Sequence, residues 1–340
     1  VITVPTPLRE NLPDLSFIES AGRSLATRMK PGATVVLEST TYPGTTEELL
    51  TPLLERESGM RGGRDFFVGY SPERIDPGNT RWGFVNTPKV VSGIDAGSLR
   101  SVTEFYDSLV ERTVPVTTPK EAELTKLLEN TFRHVNIALV NELAIYAHQL
   151  GVNVWEAIDA AATKPFGYMK FTPGPGVGGH CLPVDPSYLS WEVRRKLGQS
   201  FRFVELANDV NERMPHHVTQ RLVELLNDRS RAVRGSRVLI LGLAYKRNTG
   251  DIREAPSLRV IELLQSLGAE LLAVDSHVET DRWPVGVERL ELTDAIASQP
   301  DAIILITDHD DLDLDLITAS NGIPILDTKN RLPSHLASVL

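Results

Sequence analysis

Short apolar runs alternate with helical stretches at both ends of this chain, and that alternation constrains the fold more than any other feature. In the first third the strand-like runs are Val1 to Val4, Thr34 to Ser39, Phe66 to Tyr70, Val90 to Gly93 and Thr113 to Thr117. Helical patterns fall between them, from Leu15 to Met29 behind Asp14 as N-cap and from about Thr46 to Glu57. In the last third the strands are Arg237 to Gly242, Glu270 to Asp275, Asp301 to Thr307 and Pro324 to Asp327, with a helix from Pro256 to Leu267 closed by Gly268. Strands that alternate with helices predict parallel, doubly wound sheets. The middle differs: Leu124, Leu127, Leu128, Phe132, Val135, Leu139, Leu143 and Ala147 recur at helical spacing. Helices are predicted over Pro119 to Leu150, Val154 to Ala162 and Leu206 to Asn227. The expected fold is α/β, two doubly wound domains joined by a central helical region, divided at 1–118, 119–230 and 231–340.

A net charge of −10 over 340 residues argues against a nucleic-acid partner, which calls for a basic face. No apolar run reaches 18 residues, so no membrane span is expected. A single cysteine excludes an internal disulfide framework and a multi-cysteine zinc site, and it suits a reducing, cytoplasmic setting. The eight histidines are scattered, and the adjacent His216 and His217 have poor metal-ligand spacing on a helix, so no metal is expected.

That cysteine, Cys181, stands in P-G-P-G-V-G-G-H-C-L-P-V-D, Pro173 to Asp185. Gly174, Gly176, Gly178 and Gly179 lack a Cβ and so let the backbone approach a ligand closely, and the prolines stiffen the path. The segment reads as a rigid loop presenting one thiol and, four residues on, the carboxylate of Asp185. Gly174, Gly176 and Gly179 match G-x-G-x-x-G literally. A Thr-Pro pair precedes them and Cys-Leu-Pro follows, so this is not the strand-to-helix turn that binds dinucleotides.

In open parallel sheets ligands lie at the carboxyl ends of strands. Thr6, Ser39-Thr40 and Ser71 to Glu73 all fall at expected strand ends and suggest one shared cleft. Lys126 and Asn130, four apart, share a helix face. In the last third Lys246 and Arg253 stand beside a helix N-terminus, a setting for a phosphate-bearing ligand. The glycine turn of that domain is not G-x-G-x-x-G, which argues against ordinary NAD binding there.

Six ordered motifs carry a resemblance over the whole chain. They are V-P-T-P-L (Val4 to Leu8), E-S-T-T-Y-P-G-T (Glu38 to Thr45), S-P-E-R (Ser71 to Arg74), L-x-K-L-x-E-N-T-F (Leu124 to Phe132), G-P-G-V-G-G-H-C-L-P-V-D (Gly174 to Asp185) and A-Y-K-R-N-T-G-D-I-R-E (Ala244 to Glu254). The sequence resembles the nucleotide-sugar 6-dehydrogenases, which act on UDP-glucose, UDP-N-acetylglucosamine or UDP-N-acetylmannosamine. A-T-K-P-F-G-Y-M, Ala162 to Met169, looks most like the UDP-N-acetylglucosamine branch. The resemblance implies two Rossmann-like domains, a homodimer through the middle helices, and two successive NAD-dependent oxidations of a sugar C6 hydroxyl to a carboxylate.

It also implies residue roles. Cys181 matches the nucleophile, Lys126 the lysine that stabilises oxyanions at C6, and Asn130 its hydrogen-bonding companion. Asp185 matches the acid that acts as base through a water, Glu73 the glutamate of thioester hydrolysis, and Thr40 the threonine that orders the catalytic water. Pro5, Thr6, Ser39 and Thr40 fall where NAD would bind; Lys246, Arg253, Gly176 and Gly178 where the UDP-sugar would. Two departures stand out. UDP-glucose enzymes carry a second glutamate where this chain has Pro77, with Asp76 beside it. No strand, glycine-rich turn and acid precede Val1, so an N-terminal portion of the dinucleotide fold is expected to be missing, leaving a chain beginning at Val1 unable to bind NAD normally. A 3-hydroxy-acid dehydrogenase of similar layout and a non-catalytic sugar-nucleotide-binding protein are the rival readings.

Overall fold

A computed structural model describes residues 1–340 except Glu10, Asn11, Pro77, Gly78, His180 and Asn321, and except the side chains of Cys181 and Pro183. The chain divides into two compact units, residues 1–132 with 184–204, and residues 133–183 with 205–340.

In the first unit α1 (Ser16–Ala26) precedes β1 (Thr34–Leu37), whose Val35, Val36 and Leu37 are buried. Such β-branched and apolar runs favour a strand covered on both faces. A helical stretch follows, irregular over Thr45–Leu50 and then α2 (Thr51–Ser58). β2 (Phe67–Tyr70) pairs in parallel with β1, Val35 opposite Val68 and Leu37 opposite Tyr70. β3 (Lys89–Val91), α3 (Ala96–Asp107) and β4 (Thr113–Pro115) complete a second parallel pair. Asp95 caps α3, accepting from Ser98 N. Ser92 N donates to Tyr70 O and Ile94 N to Val68 O, so the two pairs run on from one another. The strand expected over Val1 to Val4 is a single bridge, Ile2 to Leu37. Ile2 is buried, but Pro5 and Pro7 follow and lack the N–H that would extend the ladder.

α4 (Pro119–Gln149) and α5 (Val154–Ala162) lie where the periodicity predicts them. α6 (Cys181–Leu197) does not follow the expectation: the segment from Cys181 to Asp185 is the first turn of a helix rather than a continuing loop. Pro183 reads as a breaker, yet proline is tolerated in a first turn, where the backbone N–H has no intrahelical partner anyway. α7 (Arg202–Asn227) carries Pro215 inside it.

The second unit contains a six-stranded parallel sheet made of β5 (Arg237–Leu241), β6 (Glu270–Val274), β7 (Val287–Arg289), β8 (Ala302–Leu305), β9 (Ile325–Asp327) and β10 (Ser338–Val339). The spatial order is β10-β9-β8-β5-β6-β7, the doubly wound order of a dinucleotide-type fold. The helix from Pro256 to Leu267, α8, joins β5 to β6. Val238, Ile240, Val260, Leu264, Leu271 and Ile304 form one buried core, and Leu239, Leu241, Leu272, Ile303 and Leu305 another, since alternate residues of each strand face opposite sides. Among the described residues no helix is long and apolar enough to cross a membrane.

Candidate active site

Within the first unit five of the candidate catalytic residues stand on four segments. Lys126 and Asn130 project from one face of α4, one turn apart. Asp185, on α6, is 2% exposed, and Asn130, itself buried, donates from Nδ2 to Asp185 Oδ2 at 2.6 Å. Burial pushes the Asp185 carboxyl up to about 7; the Lys126 charge and hydrogen bonds from Asn130 and Thr40 pull the other way. A buried carboxyl that titrates near neutrality beside a lysine is equipped for proton transfer. Thr40 lies in the turn that follows β1, after Glu38 and Ser39.

Lys126 Nζ donates to the main-chain carbonyl of Glu73 at 2.6 Å. The Glu73 carboxylate accepts from Ile75 N at 2.5 Å and lies 3.8 Å from Lys89 Nζ. Lys89, 4% exposed, also pairs with Glu38 at 2.9 Å and donates to Pro72 O at 3.1 Å. Glu38 accepts in turn from the Tyr106 hydroxyl. Lys89 and Glu38 thus fix the S-P-E-R segment from beneath. Sequence reasoning did not single them out, and a lone lysine in a short strand carries no signal for a buried role.

Glu123 was missed as well. It is fully buried, and Gly44 N (2.5 Å), Thr46 N (2.9 Å) and Thr46 Oγ1 (2.7 Å) all donate to its carboxylate. A signal existed: residues 123, 126 and 130 share the 3–4 spacing of one helical face.

Of the expected cofactor residues, Ser39 and Thr40 follow β1, and Pro5 and Thr6 follow the bridge at Ile2. Ser39 is buried and its hydroxyl donates to Val4 O at 2.7 Å, so it anchors the segment that carries Pro5 and Thr6. Thr6 is buried, and α6 reaches the same segment through the Tyr188 hydroxyl, which donates to Pro7 O at 3.2 Å. Turn segments braced at parallel strand ends fit a dinucleotide, whose crevice in this class of sheet lies there.

In the second unit the glycine run packs against protein. A Cβ on Gly178 would come within 2.7 Å of Glu254 O and of Tyr245 Cβ; one on Gly176, where φ is +133, would meet Asn211 O at 3.3 Å. Gly179 N donates to Arg253 O at 3.0 Å, and Gly174 N to Asn141 Oδ1 at 2.9 Å. These glycines therefore let the loop approach the 245–256 segment, beside Lys246 and Arg253. The Arg253 guanidinium is bonded to Asp251. Lys246 is half-buried, and its carbonyl accepts from Thr249.

At the turn after β5 the acid that ends the next strand is already engaged. Asp275, at the end of β6, accepts from Leu243 N at 2.7 Å, Ala244 N at 3.1 Å and His309 Nε2 at 3.0 Å. Burial alone would raise its pKa, but His309 and the two N–H groups outweigh it and hold Asp275 at about 2. The acid and the turn amides are thus bonded to each other. His277, His309 and Asp311 cluster nearby. His309 Nδ1 accepts from Asn248 N, so neither ring nitrogen of His309 is left for a metal.

The thiol of Cys181 lies outside the described residues, as do His180 and Pro77.

A buried acid raised toward neutrality, with turns braced at the carboxyl ends of parallel strands, fits a dinucleotide-dependent enzyme of α/β architecture. The chain belongs to the UDP-glucose/GDP-mannose dehydrogenase family: its NAD binding domain matches residues 1–110, its central domain 120–213 and its UDP binding domain 239–333. It is an NAD-dependent nucleotide-sugar dehydrogenase. It is 39% identical over 309 residues to the UDP-N-acetyl-D-mannosamine dehydrogenase of Pyrococcus horikoshii, covering 91% of this chain and 71% of that protein. It is 37% identical over 316 residues to the UDP-N-acetyl-D-glucosamine 6-dehydrogenase of Salmonella typhi, covering 91% and 72%. The solved structure of UDP-D-ManNAc dehydrogenase from Pyrococcus horikoshii superposes with a TM-score of 0.88 at 37% identity, over 99% of this chain and 79% of that one.

Proposed function

We propose that the chain oxidises the C6 hydroxyl of UDP-N-acetylglucosamine to the uronic acid, with Cys181 as nucleophile. The observation that carries the chemistry is Asp185, buried and hydrogen-bonded by Asn130. Acting through a water, Asp185 takes the C6 hydroxyl proton as C6 gives up a hydride, and an aldehyde forms. Bound NAD supplies the hydride acceptor for both oxidations. The Cys181 sulfur adds to the aldehyde carbon as its proton passes to the oxygen, giving a thiohemiacetal, which loses a second hydride together with its hydroxyl proton and becomes a thioester. Water then breaks the C–S bond, releasing the carboxylate and restoring the thiol. Lys126 and Asn130 stabilise the oxyanions at C6, Thr40 orders the water and Glu73 assists hydrolysis. Pro5, Thr6, Ser39 and Thr40 line the cofactor side. Lys246 and Arg253, with the loop of Gly176 and Gly178, hold the UDP-sugar. A single thiol that must stay reduced suits the cytoplasm.

An N-acetylhexosamine substrate is supported by the Salmonella relative and by A-T-K-P-F-G-Y-M; the Pyrococcus relative favours the mannosamine epimer. The chain is also proposed to form a homodimer. Leu124, Leu128, Leu139, Leu143 and Tyr146 of α4 are 43–63% exposed, a run of apolar side chains on a helix that a second copy would cover.

NADH formation with a panel of UDP-sugars tests the reading. Two NADH per UDP-N-acetylglucosamine, lost in Cys181→Ser, is the expected result. Turnover of UDP-N-acetylmannosamine alone would change the sugar and keep the mechanism, whereas turnover surviving in Cys181→Ser would end the covalent reading.

A further inference from the structure

Glu123 shares its face of α4 with Lys126 and Asn130, but its carboxylate serves a different segment. Its Oε2 accepts from Gly44 N and its Oε1 from Thr46 N and Thr46 Oγ1. These donors sit at the start of the helical stretch that begins at Thr45. The same turn is tied internally: Thr41 Oγ1 donates to Thr45 Oγ1 at 2.5 Å, and Thr45 Oγ1 donates to Tyr42 O at 2.8 Å. An unbroken set of contacts therefore runs from Glu123 to Thr41, the neighbour of Thr40. Thr40 in turn is near enough to Asp185 for its hydroxyl to favour the ionised carboxyl.

We infer that Glu123 is a positioning residue: it holds the 40–46 turn so that Thr40 stays beside Asp185, while Asn130 on the same helix donates to that carboxyl. One helix then sets both halves of the proton-transfer site, directly through Asn130 and indirectly through Glu123. The acceptor chemistry is specific. Glu123 faces three donors, and a carboxylate offers only acceptors. Glutamine keeps one acceptor oxygen but turns an NH2 group toward one set of N–H donors, so the turn must shift. A carboxylate at a helix start is also favoured by the helix dipole. The inference rests on the roles proposed above for Thr40 and Asp185.

The test compares steady-state kinetics and thermal melting of the intact protein with those of Glu123→Gln, Thr46→Val and Asp185→Asn, using the nucleotide sugar that turns over. A displaced turn misaligns proton transfer without touching the sugar. We therefore expect Glu123→Gln to lower kcat by about 10- to 100-fold, with KM for the nucleotide sugar within about threefold, in a protein that still melts cooperatively. Wild-type kcat in folded Glu123→Gln, or a loss confined to KM, overturns the inference. Should Glu123→Gln fail to fold, Thr46→Val decides. It removes one of the three donors, and a kcat fall of about threefold or more at unchanged KM supports the role; wild-type kcat ends it. Asp185→Asn separates this from the underlying reading. If Asp185→Asn stays active, the proton-transfer assignment fails; if it is inactive and Glu123→Gln is normal, only the Glu123 role fails.

Discussion

Asn130 Nδ2 lies 2.6 Å from Asp185 Oδ2, and this hydrogen bond joins α4 to α6 within the first unit. The amide can donate to the ionised acid, and Lys126, a turn away, adds positive charge. Neither offsets the cost of burying the carboxylate, which is why Asp185 titrates near neutrality rather than in the ordinary carboxylate range.

Asp185→Asn should remove activity and raise stability at alkaline pH. The folded-state pKa of about 7 lies above the unfolded 3.8, so the folded protein binds the proton more tightly. Its stabilising contribution is complete below pH 3.8 and is lost as pH rises to about 7. Asparagine has no such loss. The variant should gain up to about 4 kcal/mol relative to wild type at pH 8 and nothing near pH 4. Melting curves across pH check this; a variant less stable at pH 8 than at pH 4, relative to wild type, would contradict it.

Lys126→Met should lower kcat by about 100-fold or more if the ammonium stabilises an oxyanion at C6. Its contact with Glu73 O also fixes the S-P-E-R segment, so a smaller loss on thioester hydrolysis is expected. Single-turnover kinetics that resolve the two NADH bursts separate these effects. An unchanged first burst would remove Lys126 from the first oxidation.

Asp275→Asn should destabilise the second unit by about 2 kcal/mol at pH 7. The carboxylate is held at about 2, below the usual 3.8, so its contribution is present above pH 3.8 and disappears as pH falls through about 2. Urea denaturation at pH 7 measures the difference. No loss would mean that Leu243 N, Ala244 N and His309 find equal partners elsewhere.

Gly242→Ala should cost at least about 2 kcal/mol. Gly242 has φ +82, and a Cβ there would lie 2.2 Å from Thr307 O, a backbone atom that cannot swing aside. Equilibrium denaturation of the variant gives the value, and a cost below 0.5 kcal/mol, within the scatter of neutral substitutions, would refute the close approach.

Leu128→Glu should convert a dimer to a monomer. Leu128 is 63% exposed on α4, in line with Leu124, one turn before it. Sedimentation equilibrium of both proteins tests the assembly; a wild-type chain that sediments as a monomer rejects the proposed homodimer outright.

The alternation of buried apolar runs with amphipathic stretches determined the α/β class by itself. Both periodicities are local, set by which residues along a strand or helix share a face. That is why α4, α5 and α8 lie within a residue or so of their expected ends. Motif spacing likewise marked Lys126 with Asn130, and Gly174 to Asp185, as segments that matter. Tertiary structure decided the rest. Pro183 hid the start of α6, because a proline in a first turn and a proline in a loop look alike in sequence. Gly178 and Gly179 of that run face Tyr245 and Glu254, a contact between segments some 70 residues apart that no local pattern encodes. Glu123 carries the lesson furthest. In sequence it is one more charge on a long helix, and only burial against Gly44 and Thr46 turns it into a fixed acceptor. Desolvation depends on everything that surrounds a group, so burial, and with it the ionisation of Asp185, belongs to the folded chain alone.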